Sequence, residues 1–156
     1  MLHPPSGVTF PSRVDRFRRD AVFRYDEAGE NVSVRYVHDP RNFATVYVFP
    51  AMSRTESEFV HTFEAAAKDM LRSLGTASVT VVQRNVAVAR SGGALVSGRF
   101  LRARTRPGPG ADTWARTATL ELFVWRWFFL KLRVDLDLRA GPGFGDAWFA
   151  RFLEVP

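Results

Sequence analysis

Lys131, Arg133, Asp135 and Asp137 follow one another at steps of two, the densest run in this chain of groups able to do chemistry. In an extended segment residues two apart share a face, with Cα atoms about 7 Å apart. Asp135 and Asp137 are then placed to share a cation. Ion pairing with neighbouring arginines is the simpler account, and a solvated charged face is the reading we prefer. His3, His38 and His61 have no metal-ligand spacing, and the chain has no cysteine, so no thiolate site or disulfide exists. There is no Gly-x-Ser-x-Gly elbow, no His-Glu-x-x-His and no P-loop. Gly141-Pro-Gly-Phe-Gly145 imitates a phosphate loop, but Pro142 removes an amide donor, so it reads as a turn. No catalytic constellation is legible, and no cofactor is implied.

Two further sets bear on binding. Arg102, Arg104 and Arg106 have equal parity and form a ridge if their strand continues that far; Arg13, Arg16, Arg18 and Arg19 make a second basic cluster. The net charge is +6, carried by 20 arginines and 2 lysines. Aromatic residues between these arginines are few (Phe17 and Phe100), which disfavours nucleic acid, and diffuse surface charge is preferred over an anionic-lipid or polyanion site. At Trp125-Arg-Trp127 two indoles flank a tight turn, where they either pack back over the sheet end or stay out to meet a partner.

The elements that must position these groups follow from periodicity. From Phe128 to Leu138 every second residue is apolar, the strand period. Thr117–Val124 alternates too, with Leu120, Leu122 and Val124 on one side, and a connection near 124–127 pairs the two segments as a hairpin with a shared inner face. On that reading Leu132→Asp unfolds the domain and Arg133→Asp does not. Upstream, the spacing predicts a short strand at Val8–Phe10 and a meander through 21–25, 32–36 and 43–49. The period then becomes helical over about 54–74: Phe59, Phe63, Ala66, Ala67, Met70 and Leu74 form one stripe behind overlapping capping boxes at Ser53–Glu56 and Thr55–Glu58, with Gly75 as the stop. A long hairpin (78–90 and 94–104, turning at Gly92-Gly93) and a short helix after Asp146, carrying Trp148, Phe149, Phe152 and Leu153, complete the order.

This predicts an α+β domain, an antiparallel sheet of about six to seven strands packed against one long helix and a short C-terminal helix. All 156 residues are read as one domain, with 1–7 a loose lead-in. No apolar run is long enough for a transmembrane helix, and the first residues lack signal-peptide character. The chain is therefore expected in the cytoplasm by default, or in the periplasm if a signal was removed before Met1.

The element order, with the meander Val32–Tyr36 plus Ala44–Phe49 and the late hairpin ending in Phe129-Leu-Lys-Leu-Arg133, resembles the PsbP-like fold. That fold is shared by a photosystem II extrinsic protein, a Ran-binding nuclear import factor and many uncharacterised bacterial proteins. The resemblance covers most of the chain and implies a fold only; no manganese, chloride or Ran site carries over residue by residue. The function expected is non-enzymatic binding, with Arg102, Arg104, Arg106, Trp125 and Trp127 offered to a protein or small-ligand partner. The alternative is a small-ligand or lipid carrier with its pocket between helix and sheet.

Overall fold

The computed structural model describes residues 1–74, 78–89, 95–106, 115–137, 148 and 151–152. Strands β1 (Leu2–His3), β2 (Val8–Thr9), β3 (Arg13–Val14), β4 (Phe17–Arg24), β5 (Val32–Asp39) and β6 (Asn42–Pro50) precede helix α1 (Glu56–Ser73). After it come β7 (Ser78–Ala89), β8 (Leu95–Arg106), β9 (Arg116–Trp125) and β10 (Phe128–Asp137). Among the described residues, one sheet has the order β3-β4-β5-β6-β10-β9-β8-β7, and β1 pairs with β2 in a second. All pairings are antiparallel. Among the described residues the protein is mainly β with a single long helix, broadly α+β. Gly75, the Gly92-Gly93 turn, Leu138 and the 141–145 turn lie outside the described residues; of the segment expected as a final helix only Trp148, Arg151 and Phe152 are described.

The hairpin β9–β10 forms, but without the shared inner face expected from the sequence. Its two-residue turn, Arg126-Trp127, pairs Trp125 with Phe128 and so sets odd positions of one strand opposite even positions of the other. Leu120 and Leu122 therefore sit opposite Arg133 and Lys131, while Leu130 and Leu132 sit opposite Phe123 and Glu121. Each face of the hairpin thus carries the apolar residues of one strand beside polar residues of the other, and both faces must be covered. On one side α1 buries Phe59, Phe63, Ala67 and Met70 against Leu101, Ala103, Ala118, Leu120, Leu122 and Phe129. Each large side chain contributes about 1.5–3 kcal/mol at most. On the other side Val8, Phe10 and Val14 from the N-terminus join Trp148 and Phe152 over Val34, Tyr36, Val46, Leu130, Leu132 and Val134. Trp148 and Phe152 are stacked, their centroids 5.5 Å apart, and Tyr36 meets Trp148 edge-on at 5.2 Å.

Residues 1–7, read from sequence as a loose lead-in, are tied down here. His3 is buried with its ring edge-on to Phe128, Nδ1 is 2.6 Å from Ser6 Oγ, and Nε2 is 2.7 Å from the Gly29 carbonyl. The buried pair His3↔Val8 holds in place what a Pro-rich composition suggested was free chain.

Of the two capping boxes, α1 uses Thr55–Glu58. Thr55 Oγ1 accepts from the Glu58 amide at 3.2 Å, and the Glu58 carboxylate reaches back to the amides of Met52, Ser53 and Arg54 at 2.6–2.8 Å. Loss of water pushes the Glu58 carboxyl up, but the bonds from Ser53 and Met52 together outweigh it and hold the group below its ordinary range.

Candidate functional site

That clamp fixes the 52–54 loop against the Arg126-Trp127 turn, where the Ala51 amide donates to the Trp127 carbonyl at 2.9 Å. Both loops adopt left-handed backbone at a non-glycine residue, Arg54 at φ 60° and Arg126 at φ 57°. The two indoles part ways. Trp125 packs back and donates from Nε1 to the Ser6 carbonyl at 3.2 Å, which docks the N-terminal hairpin. Trp127 stays 67% exposed, with the Arg54 guanidinium 4.7 Å from its ring centre, beside Met52 at 91% exposed. Apolar area, a π face and cationic groups thus meet on one preorganised tip.

β8 runs through Arg106, and Arg102 and Arg104 share the side opposite α1. Arg102 is half-buried with its guanidinium 5.3 Å from the Phe100 ring, Arg104 is exposed, and the side chain of Arg106 is outside the description. Arg102 pairs with Thr119, six residues along β9 from Trp125, which is about 20 Å at the strand rise. The ridge and the tip therefore do not make one surface. Arg13, Arg16, Arg18 and Arg19 belong to β3, β4 and their turn, with β5, β6, β10 and β9 between them and β8 in the sheet.

The run that began the sequence reading lies on the α1 side, and its carboxylates are not solvated. Asp135 is fully buried; Oδ2 accepts from Arg133 Nε at 2.8 Å and Oδ1 from Arg116 Nη2 at 3.1 Å. Arg133 also donates from Nη2 to Ser73 Oγ at 2.6 Å, bringing the last turn of α1 over the face. Asp137 is buried as well, 3.7 Å from Arg41, with its amide bonded to Asn42 Oδ1. The solvated-face expectation fails because guanidiniums from the same strand (Arg133), from β9 (Arg116) and from the turn before β6 (Arg41) neutralise the carboxylates, leaving them no need of water. Their partners are arginines, and among the described residues no three His, Asp or Glu side chains are grouped to hold a metal ion.

Beside this pair is a set of groups that sequence reasoning passed over. Register aligns Arg35, Thr45 and Arg133 across β5, β6 and β10, and Ser33, Tyr47 and Lys131 one step along. Lys131 Nζ is 4.0 Å from the Tyr47 ring centre, and Arg35 lies 5.0 Å from that of Phe43. Arg35 Nε is shielded from solvent without a hydrogen-bond partner. Burial pushes the Lys131 amine below its ordinary range and the Arg133 guanidinium pushes it further, with Asp69 opposing. Burial raises the Tyr47 phenol, with Tyr25 adding to the shift and Arg133 opposing it. Only strand pairing reveals this set: Ser33, Arg35, Thr45 and Tyr47 are scattered in sequence, and their shared parity across two turns is the one signal that could have joined them.

No family model matches the chain, and no curated protein matches it by sequence.

Proposed function

We propose that this is a binding domain without catalysis of its own, and that it meets a protein partner through the Arg126–Trp127 turn and the adjoining 52–54 loop. One observation carries the reading: an indole left 67% exposed on a tip whose backbone is clamped in advance. Ordering a partner-contacting aromatic beforehand lowers the entropy cost of association, and exposed Trp with flanking Arg is the composition of interface anchors. Carriage of a ligand between helix and sheet is the weaker reading, because that space is occupied by Phe59, Phe63, Met70, Leu120, Leu122 and Phe129. We retain the PsbP-like relationship as part of the proposal; a meander, one helix and a second set of strands support it through element order.

Site-specific photocrosslinking tests the tip. A photoreactive amino acid at Trp127 is expected to give a discrete adduct in cells of the source organism, one lost on Arg54→Ala, whereas the same probe at Arg104 gives none. Equal adduct patterns at both positions would refute the assignment.

A further inference from the structure

We propose that the α1 side of the sheet carries an anion site, built on Arg35, Thr45, Lys131 and Arg133, that takes a small polyanionic phosphate compound. The proposal does not depend on the tip: these residues are in mid-strand on the face that α1 borders.

Charge balance is the first argument. Around Thr45 and Tyr47, Arg35, Lys131, Arg133 and Arg116 set four positive charges against two buried carboxylates: Asp135, already engaged by two guanidiniums, and Asp137, which lies opposite Arg116 in the register and 3.7 Å from Arg41. Asp69 of α1 acts electrostatically on Lys131 but is itself paired with Arg72 at 3.2 Å. Among the described residues neither Arg35 nor Lys131 has a carboxylate partner, and both contact aromatic rings instead. Half-buried cations that repel one another are costly unless an anion joins them.

The second argument is the unused donor capacity. Arg35 Nε is shielded and unpartnered, and the Lys131 ammonium is held against a ring face, which leaves hydrogens free for another acceptor. The hydroxyls of Thr45 and Tyr47 flank these cations in the register. Spacing then selects the ligand. Arg35 and Arg133 are two strands apart, about 10 Å between Cα atoms, and Lys131 is about 7 Å along β10 from Arg133. A single carboxylate cannot reach such separated groups, but a diphosphate, or two phosphates on one small molecule, can engage them with charge-assisted bonds.

The test exploits a property of the composition: Lys131 and Lys68 are the only lysines in the chain. Lys68 is exposed on α1 and serves as the internal reference. The folded protein is treated with limiting acetic anhydride across a titration of inorganic pyrophosphate, with sulfate and citrate at matched ionic strength as separate arms. Acetylation at each lysine is read by mass spectrometry. We expect saturable protection of Lys131 but not Lys68 by pyrophosphate, with citrate and sulfate ineffective. Calorimetric titration of Arg35→Gln and Lys131→Met, neither of which breaks an ion pair, is expected to show pyrophosphate affinity reduced about tenfold each. No selective protection in the wild-type protein would overturn the proposal even if a variant misfolds. Equal protection by citrate would overturn the phosphate chemistry, and affinity unchanged in both folded variants would overturn the location.

Discussion

Removing the Arg133 side chain gives the sharpest test of how the charged face is built. Arg133→Ala deletes the 2.8 Å bond to Asp135 Oδ2 and the 2.6 Å bond to Ser73 Oγ, and leaves a fully buried carboxylate held by Arg116 alone. Breaking a buried ion pair costs about 3–5 kcal/mol when the remaining charge has no other partner. Here Arg116 remains, and the two guanidiniums are 27–28% exposed, so solvent screens part of the loss. The expected cost is about 2–3 kcal/mol, the scale of one or two hydrogen bonds to a charged group. With a urea slope of about 2 kcal/mol per molar, the midpoint falls by about 1–1.5 M. Arg133→Asp is worse, since it sets a second carboxylate against Asp135, and it joins Leu132→Asp among variants expected to unfold. A double-mutant cycle with Asp135→Asn separates the pair energy from lost packing, and a coupling of about 1.5 kcal/mol is expected. A midpoint shift below about 0.3 M for Arg133→Ala, or no coupling, would show that the carboxylate does not depend on this guanidinium.

Gly98→Ala is expected to destabilise by about 2 kcal/mol or more, because the added Cβ would lie 2.4 Å from the Leu122 carbonyl and 2.5 Å from a Phe123 ring carbon; a wild-type melting temperature would contradict the close approach. The alkaline arm of stability has two opposing parts. Burial raises the Tyr36 phenol, against the lowering effect of Arg19, and burial also raises Tyr47; in that range the folded state holds protons that the unfolded state has lost, so stability falls above about pH 10. Lys131 is shifted down, so below about pH 10.5 the unfolded state binds the extra proton and stability rises with pH. Urea midpoints between pH 8 and 11 are therefore expected to pass through a maximum, and Lys131→Met to flatten only the rising arm; an unchanged rising arm would show that Lys131 does not cause it.

Periodicity made the elements legible because it reports local physics. The stripe from Phe59 to Met70 became the buried side of α1, and the alternations at 32–36, 43–49 and 117–137 became strands. Periodicity could not say which stripes meet, since that depends on the number of residues in a turn. The two-residue Arg126-Trp127 turn sends Leu120 and Leu132 to opposite faces, whereas one residue more or fewer would have united them. The same limit misplaced the solvent. Lys131, Arg133, Asp135 and Asp137 alternate with apolar residues as an exposed face would; Arg133 is a local partner for Asp135, but no local signal shows that Arg116 and Arg41 close over the two carboxylates from elsewhere in the chain.

The two candidate sites differ in legibility for a related reason. Trp127 is a property of one turn, visible wherever two indoles flank a hairpin tip, and the structure had only to decide which of them is covered. It covered Trp125, which joins the apolar core with Val8 and Phe128 and donates from Nε1 to the Ser6 carbonyl. The cationic shelf is a property of three strands. Arg35 reads locally as one more arginine in a basic chain, and Lys131 as one charge in an alternating strand. The register Arg35↔Thr45↔Arg133 sets them on one face, and burial then leaves Arg35 Nε without a partner. Excess basic charge in the sequence pointed to the Arg102 ridge because those residues are close in the chain. Proximity in the chain makes a row along one strand, where Arg104 is exposed to water and counterions, whereas cations brought together across strands on a half-buried face compete for the same few acceptors. The second arrangement is where an unpaired cation is most costly, and where a bound anion relieves most strain.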